Sequence, residues 1–499
     1  MNRITMKTSF PLRVFYPAVC LLLLQATAGA TAQSMSGYAA NSIPTPRPLD
    51  PATNSTNPSA LATQSQNPYL GSVPAGPADP AIRSISLREA VQMALRSNLG
   101  LIDTEQQDVT QRAARLRALS ALLPHLDASA SQHYAEADTV PAGGRQLALP
   151  NLVGPMSYQA LDLDLRQSVF DASANDRLHS ASQEAEASAM SNLDSRNIVV
   201  LAAASAYITI AASESRVHAG QAQLDTARAL EELMRHRVEQ GVSPQIDLIR
   251  AKVADRTAEQ RLDLAKIQLE KDKLALTRII GLPIEQQFTL TTPLSYRDAP
   301  DFDLKTMLDA ARLNRSDLKA ASDMAEAARS RVKAANAQRL PSISIDAHYG
   351  GTGITPDHLY NTYDVGGSIR MPIFTGGQIA SDVSAAKANL ARRSAEAADL
   401  DARVQYDVRS ACLDLEGARQ SVSVAQQNLD LAREGLKEAK DRLEVGLSNG
   451  LEVMEAQQTI AGAEDNYISS VYAHNLAKLM LIRSTGTAEK DMPAYVGGN

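Results

Sequence analysis

The chain has 499 residues, a formal net charge of −7, 4% aromatic residues and no Trp. This acidic balance argues against a nucleic-acid partner, because phosphate backbones attract clustered Lys and Arg. Abundant Ala, Leu, Glu, Gln and Arg favour long helices over compact β domains.

The first 32 residues have the pattern of a secretory signal peptide. A basic leader, an apolar run and small residues suited to cleavage follow one another, namely Arg3, Lys7 and Arg13, then residues 14–24, then Ala30-Thr31-Ala32. We expect cleavage before Gln33 and read Cys20, inside the apolar run, as an ordinary signal residue. Cys412 then remains alone, which excludes an intramolecular disulfide and is typical of a small core residue.

No segment after residue 32 has the ~18–20 consecutive apolar residues of a membrane-spanning helix. The nearest is residues 198–212, which Ser205 and Thr209 interrupt. We interpret it as a helix buried on several sides. If this chain crosses a membrane, we therefore expect it to do so with strands.

The sequence is duplicated. Equivalent positions recur at a nearly constant offset: Leu123-Pro124 and Leu340-Pro341 at 217, Phe170 and Phe374 at 204, Gly241 and Gly446 at 205. The offset drops at one place, predicted to be a loop near residues 135–157 in the first copy and 350–360 in the second. A tandem duplication of the fold follows.

Each copy reads as helix, strand, strand, very long helix, tight turn and long helix. The first helices are predicted over residues 86–121, with Ser86 as N-cap, and over 303–338. Residues 172–240 and 377–445 contain no proline. At ~1.5 Å per residue each predicts a helix of about 100 Å, longer than a globular domain needs.

The long helices carry an apolar seam at alternating steps of three and four. Its predicted members are Leu429, Ala432, Leu436, Ala439 and Leu443, then Val453, Ala456, Ile460, Ala463 and Tyr467, and in the first copy Leu224, Ala227, Glu231, Met234 and Val238. Any antiparallel coiled-coil hairpin fits this pattern.

Two segments before each long helix alternate between apolar and polar residues. In residues 161–166, for example, Leu alternates with Asp and Arg. Such alternation fits a transmembrane barrel, although a soluble sheet packed on a helix alternates equally well. Because lipid does not tolerate open sheet edges, four spanning strands require several chains to share one barrel, and three chains give twelve strands. Gly350-Gly351-Thr352-Gly353 is predicted to be a loop at the barrel mouth.

Together these features resemble the TolC-type outer-membrane efflux family over residues 84–486. The most specific similarity is the turn Arg237-Val238-Glu239-Gln240-Gly241 leading to Asp247, repeated as Arg442-Leu443-Glu444-Val445-Gly446 leading to Glu452 and Glu455. The Leu-Pro before a strand in each copy and Pro372-Ile373-Phe374-Thr375-Gly376-Gly377 support it.

The resemblance implies a mainly α chain with a small β part, assembled as a homotrimer. A twelve-stranded β-barrel would span the outer-membrane lipid, and a twelve-helix tunnel would taper to a closed tip in the periplasm. The implied function is the exit duct of a tripartite efflux or type I secretion system. The implied partners are a periplasmic adaptor and an inner-membrane pump, which largely sets the exported substrate.

The resemblance also assigns roles at the tip. The constriction is expected at Asp247, Glu452 and Glu455, where the best-known members have aspartates in the second copy. Leu443 and Ser448 stand where a polar or basic partner of the constriction is expected. Adaptor docking is expected at the two turns, which contain Gly241, Val242, Gly446 and Leu447.

The expected organisation has six parts: signal peptide 1–32, extended Pro-, Ser- and Asn-rich segment 33–83, first repeat 84–285, equatorial linker 286–302, second repeat 303–486 and C-terminal tail 487–499. Because the chain contains neither a phosphate-binding G-x-x-x-x-G-K-[ST] motif nor H-E-x-x-H, no catalytic residue, cofactor or metal site is predicted. Two alternatives are a periplasmic coiled-coil adaptor, with one hairpin between β domains, and a trimeric coiled-coil surface protein without the duplication.

Overall fold

The structure, a computed structural model, describes residues 67–74, 76–138, 152–300, 303–355 and 358–496. The predicted signal peptide and residues 33–66 of the predicted extended segment lie outside these residues. Part of the predicted loop in 135–157 does so too.

The two copies contain the same long elements in the same order. The first has β1 (Arg83–Ile85), α1 (Leu87–Ser97), α2 (Leu99–Ser120), β2 (His125–Asp138), β3 (Leu152–Phe170), α3 (Ala172–Glu239) and α4 (Gln245–Ile280). β4 (Phe288–Leu290) follows in the predicted linker. The second copy has α5 (Leu304–Asn314), α6 (Ser316–Ala337), β5 (Ser342–Thr355), β6 (His358–Arg370), α7 (Gln378–Glu444) and α8 (Gly450–Ser484), followed by α9 (Ala488–Val496). The predicted mainly α chain with a small β part is confirmed.

Each copy opens with two helices where the sequence predicts one. The helices predicted over 86–121 and 303–338 break at Asn98 and Arg315, which are themselves equivalent positions of the duplication. Both have extended backbones, with φ/ψ of −66/128° and −66/113°. Ser86 is confirmed as the N-cap of α1, where it forms a capping box.

Different side chains stabilise the two breaks. The side-chain oxygen of Asn98 accepts hydrogen bonds from two backbone N–H groups in the first turn of α2, and its amide donates to the Tyr69 carbonyl at 2.7 Å. Arg315 instead pairs with Asp317 at 2.6 Å and Asp407 at 3.1 Å. The break is therefore fixed by contacts distant in sequence.

β2, β3, β5 and β6 form one antiparallel sheet in that order, so β2 and β6 are its open edges. The pairing of β3 with β5 joins the two copies. Cross-strand rows alternate between the faces as predicted: an apolar row contains Leu126, Leu165, Ala347 and Val365, and the adjacent polar row contains Asp127, Asp164, His348 and Asp364. One face is thus suited to lipid and the other to water.

The strands are longer than predicted. β2 and β3 extend into the predicted loop at 135–157, and β5 and β6 into that at 350–360, so the predicted Gly350-Gly351-Thr352-Gly353 loop is part of β5. A Cβ at Gly350 would collide with the Asp162 side chain, which explains glycine inside this strand. At the other end, the predicted strand through Ile373 stops at Arg370.

α3 and α7 run unbroken for 68 and 67 residues, about 100 Å each. Most of the predicted seam is buried, including Leu224, Ala227, Met234, Leu429, Ala432, Ala439, Leu443 and Val453. The prediction was wrong at Glu231, which pairs with Arg235 at 2.9 Å while Leu230 is buried. α3 packs against both α4 and α8, so its apolar stripe is wider than a two-helix seam.

The apolar stretch at residues 198–212 is a buried part of α3. By length and composition α3 contains one window apolar enough to cross a membrane, but 67% of that window is buried inside the chain. Tyr207 donates to the Ile85 carbonyl at 3.2 Å and accepts from the Thr292 N–H at 3.3 Å. β1 and the segment after β4 therefore cover this part of α3, which is a core helix.

The segment after β4 is fastened to α8 by buried polar groups. The Lys478 Nζ donates to the Arg297 carbonyl at 2.7 Å. His474 is fully buried, neither of its ring nitrogens has a hydrogen-bond partner, and its ring centroid lies 4.9 Å from that of Tyr296. Burial, reinforced by the Lys478 charge, lowers the pKa of His474 to about 4, so the folded chain holds a neutral imidazole.

This pKa predicts a pH dependence of stability. The unfolded chain binds a proton at His474 near pH 6.5 and the folded chain only near pH 4. The stabilisation that comes from keeping His474 neutral is therefore complete above pH 6.5 and is lost as the pH falls toward 4. His474→Phe keeps a ring against Tyr296 without titrating. Between pH 7 and 4.5 the unfolding free energy of the variant should fall about 2–3 kcal/mol less than that of the native protein. Denaturant titrations at both pH values measure this, with exposed His218→Phe as control; equal losses in native protein and His474→Phe would contradict it.

Candidate functional site at the helix turns

Both long helices end in the same motif. Gly241 after α3 and Gly446 after α7 have φ of 72° and 78°, a left-handed conformation that glycine adopts without strain. The following N–H groups, of Val242 and Leu447, return to the carbonyl five residues earlier at 2.9 and 2.8 Å. These Schellman motifs explain why each long helix stops at its glycine.

The residues after both glycines are apolar and exposed. Val242 is 62% and Leu447 73% exposed, and Val445, just before the second glycine, is 71% exposed. The returning helix α8 starts at the N-cap Asn449, whose side chain accepts from two backbone N–H groups, whereas α4 follows Pro244 without a side-chain cap. The two turns thus present exposed apolar side chains at the ends of the long helices.

Glu452 and Glu455 lie on one side of α8. Both line a groove between α7 and α8. Glu452 is half-buried, accepts a hydrogen bond from the Ser448 hydroxyl and lies 3.7 Å from the Arg442 guanidinium. Glu455 is exposed. The structure therefore brings the predicted pair together but gives only one member internal partners, and Ser448 is one of them.

Asp247 lies apart from this groove, in the first turn of α4. It is buried and sits 3.7 Å from the Arg250 guanidinium. It packs beside Gly450 at the start of α8, where an added Cβ would lie 3.8 Å from the Asp247 Cβ. The same Cβ would lie only 3.0 Å from the Met234 Sδ of α3, so glycine at this position permits close packing of α3 against the start of α8.

A shared apolar core holds the two turns together. It contains Leu230, Met234, Leu248, Ala251, Ala439, Leu443 and Val453, drawn from both hairpins. Polar contacts join them too, because Arg237 Nη1 donates to the Leu443 carbonyl at 2.9 Å. Leu443, which stands where a polar or basic partner of the constriction is expected, is therefore a core residue whose main chain, not its side chain, makes the polar contact.

Sequence reasoning missed the roles of two arginines. Arg237 and Arg442 are equivalent positions of the duplicated turn, yet the first binds the opposite helix end and the second faces Glu452. Their repetition in the turn motif was the available signal. Among the described residues, no group of three or more His, Cys, Asp or Glu is placed to hold a metal ion.

Comparison with known proteins gives the family context. Residues 307–487 match the family described as outer membrane efflux protein. TolC of Vibrio cholerae is 21% identical over 433 residues, which cover 85% of this chain and 96% of that protein. The toluene efflux pump outer membrane protein TtgF of Pseudomonas putida is 25% identical over 420 residues, covering 80% of this chain and 83% of TtgF.

Solved structures show the same fold. The outer membrane protein VceC of Vibrio cholerae gives a TM-score of 0.70 at 20% identity, covering 80% of this chain and 96% of VceC. The CmeC outer membrane channel of Campylobacter jejuni gives 0.71 at 19% identity, covering 86% of this chain and 95% of CmeC. This chain therefore has the fold of these two outer membrane proteins.

The Arg237 contact predicts how the two turns are coupled. Arg237→Met removes a charged hydrogen bond of about 1.5–3 kcal/mol at the carboxyl end of α7 while keeping the apolar stem. Backbone amides near the end of α7 should then exchange at least about tenfold faster by hydrogen–deuterium exchange mass spectrometry. Arg235→Met is the matched control, since Arg235 pairs only with Glu231 of its own helix. Equal exchange in the two variants would show that Arg237 does not couple the turns.

Proposed function

Because this chain belongs to the TolC-type outer-membrane efflux proteins, we propose that three copies of it build one exit duct. The protein is an outer-membrane channel of an efflux system, and its helical part lies in the periplasm. Channels of this family carry substrates and do not catalyse reactions. How the copies close the duct follows from the sheet.

The observation that carries the proposal is the open four-stranded sheet. Among the described residues, no further strand pairs with its edges β2 and β6, so the outward backbone N–H and C=O groups of these two strands have no strand partner there. In lipid each such group costs several kcal/mol, so a spanning sheet has to close on itself. Three copies supply twelve strands, within the range of known closed barrels.

The helices also fit an assembly of three chains. α2 and α4 both pack along α3, and α6 and α8 both pack along α7, while α3 also packs on α6. Each chain therefore contributes four helical rows, namely the long helices α3 and α7 and two rows that are each built from a pair of shorter helices. The two repeats, residues 84–285 and 303–486, supply two rows each, so three chains give a tunnel of twelve rows.

We place the narrow end of the tunnel at the two turns, with Asp247, Glu452 and Glu455 as its constriction. Threefold symmetry would gather six carboxylates from Glu452 and Glu455 alone. Arg442 and Ser448 hold Glu452, whereas exposed Glu455 is free to face the pore. Asp247 is buried beside Arg250 and would act by positioning α4 against α8.

The constriction is tested by conductance. The native protein should conduct in planar bilayers with a preference for cations and with block by millimolar divalent cations, because a carboxylate ring attracts both. Glu452→Ala/Glu455→Ala should lose block and most cation preference. Glu434→Ala removes an exposed carboxylate of α7 about three turns from the tip and should change neither. An unaltered double variant would leave these glutamates as helix-start residues, and a protein that never conducts would contradict the duct itself.

The turns are proposed as docking sites for a periplasmic adaptor that links the duct to an inner-membrane pump. Val242 and Leu447 offer exposed apolar anchors at fixed positions beside Gly241 and Gly446. Exposed apolar side chains of this kind can pack into an apolar groove between the helices of a partner hairpin. In this proposal the inner-membrane pump largely sets the exported substrate.

Docking predicts a conformation-specific effect at Gly446. Gly446→Leu forces a bulky side chain into the left-handed region and should abolish export, while Gly446→Asn tolerates that region and should retain it. Gly417→Leu, at an exposed helical position with open space, is the control. Export from cells and trimer content are both measured. Full export by Gly446→Leu would mean that this turn is not a docking element.

A further inference from the structure

The polar face of the sheet carries a belt of acidic side chains. Asp162 lies two residues from Asp164 on β3, and Asp346 lies two residues from His348 on β5, so each pair points to the same face. One cross-strand row of that face contains Asp127, Asp164, His348 and Asp364, one residue from each strand. The five aspartates form an acidic belt, and the imidazole of His348 lies within it.

Both ring nitrogens of His348 face a carboxylate of the neighbouring strand β3. The Nδ1 atom lies 3.0 Å from Asp164 Oδ1, and the Nε2 atom lies 3.5 Å from Asp162 Oδ1. Gly350 makes room for this arrangement, because a Cβ there would lie 3.1 Å from His348 Nε2 and would collide with the Asp162 carboxylate. The half-buried ring is therefore held between two negatively charged groups.

The two charge states of this ring make different contacts. A neutral imidazole has one N–H and can donate to only one of the two carboxylates, while its other nitrogen turns a lone pair toward the second. The imidazolium has an N–H on each nitrogen and can donate to both. Histidine ordinarily changes its charge between pH 5 and 8, whereas aspartate does so at lower pH. Protons can therefore switch these contacts while the belt stays ionised.

The other charged groups around His348 leave the belt negative. Arg166 on β3 lies 4.0 Å from Asp346 on β5 and offsets that carboxylate. Asp127 on β2 and Asp364 on β6 are both exposed. With Arg166 counted against the five aspartates, the belt has a net charge of −4 per chain when His348 is neutral and −3 when it is protonated.

We propose that the protonation state of His348 sets how strongly the sheet part of the duct prefers small cations. The inference rests on the proposed three-copy duct, in which the polar faces of three sheets enclose the pore. With His348 neutral, the belts attract cations and exclude anions. With His348 protonated, Asp162 and Asp164 pair with the imidazolium and the belts attract cations less. Mild acid should therefore weaken the preference for cations.

Reversal potentials in planar bilayers test this proposal. The measurements use Glu452→Ala/Glu455→Ala, so that the carboxylates of the turns do not contribute. From pH 8 to about pH 5.5 its remaining cation-over-anion permeability ratio should fall by roughly a third to a half, because ion partition follows the net charge of the pore wall. Adding His348→Asn should remove more than half of this fall. Adding His348→Lys fixes a positive charge between the two aspartates and should give the lower ratio already at pH 8.

The matched control is His133→Asn in the same background. His133 lies on the same face, outside the acidic belt, where it stacks on Tyr158 with ring centroids 4.9 Å apart. His125 lies toward the other end of that face, with its Nε2 2.8 Å from the Ser120 carbonyl oxygen. The control should keep most of the fall, and the part that His348→Asn keeps is expected from His125 and His133.

Native gels report the trimer of each variant independently. A permeability ratio that falls equally with and without His348, or a His348→Lys channel with the ratio of the His348 channel at pH 8, would overturn the role of His348 and leave the duct intact. A trimer that never conducts would overturn the duct and this inference with it.

Discussion

The structure depends on one constraint: a β-sheet in lipid cannot leave its edge hydrogen-bonding groups unpaired. One chain provides four strands with an apolar and a polar face, and it ends at two open edges, β2 and β6. Neither edge is covered by a helix of the same chain among the described residues. In the proposed function, this constraint is the reason that the duct needs other copies of the chain.

The duplication solves the geometric problem this constraint sets. The two similar halves contribute similar strands and similar long helices to one sheet and one helical layer. The rods extend the same arrangement about 100 Å from the sheet. At the other end of these helices the two turns lie beside a shared apolar core drawn from both hairpins.

Much of this architecture could be predicted because its signals are local and repeated. Absence of proline predicted the rods, a glycine able to adopt positive φ predicted each turn, and period-two alternation predicted the strands. The breaks at Asn98 and Arg315 could not be predicted, because they depend on Tyr69 and Asp407, which are distant in sequence. The same is true of Gly350, whose place in a strand depends on the side chain of Asp162.

At the tip, the sequence predicted which residues lie there but not what each one contacts. Glu452 and Glu455 share a helix face, as their spacing requires, yet only Glu452 has partners within the chain. Asp247 is buried against the opposite hairpin, a consequence of tertiary packing around Gly450. The equivalent residues Arg237 and Arg442 make different contacts, so the duplication predicts where these arginines lie but not which groups they contact.

Copy number is the most direct measure of the central claim. Native mass spectrometry of the detergent-extracted protein counts the chains in the assembly without relying on any variant or partner. The open edges of a four-stranded sheet predict a single species of three chains. A stable monomer in the same detergent would contradict this account, because its four-stranded sheet would have to remain open in the membrane, and a stable dimer would contradict the count of three chains.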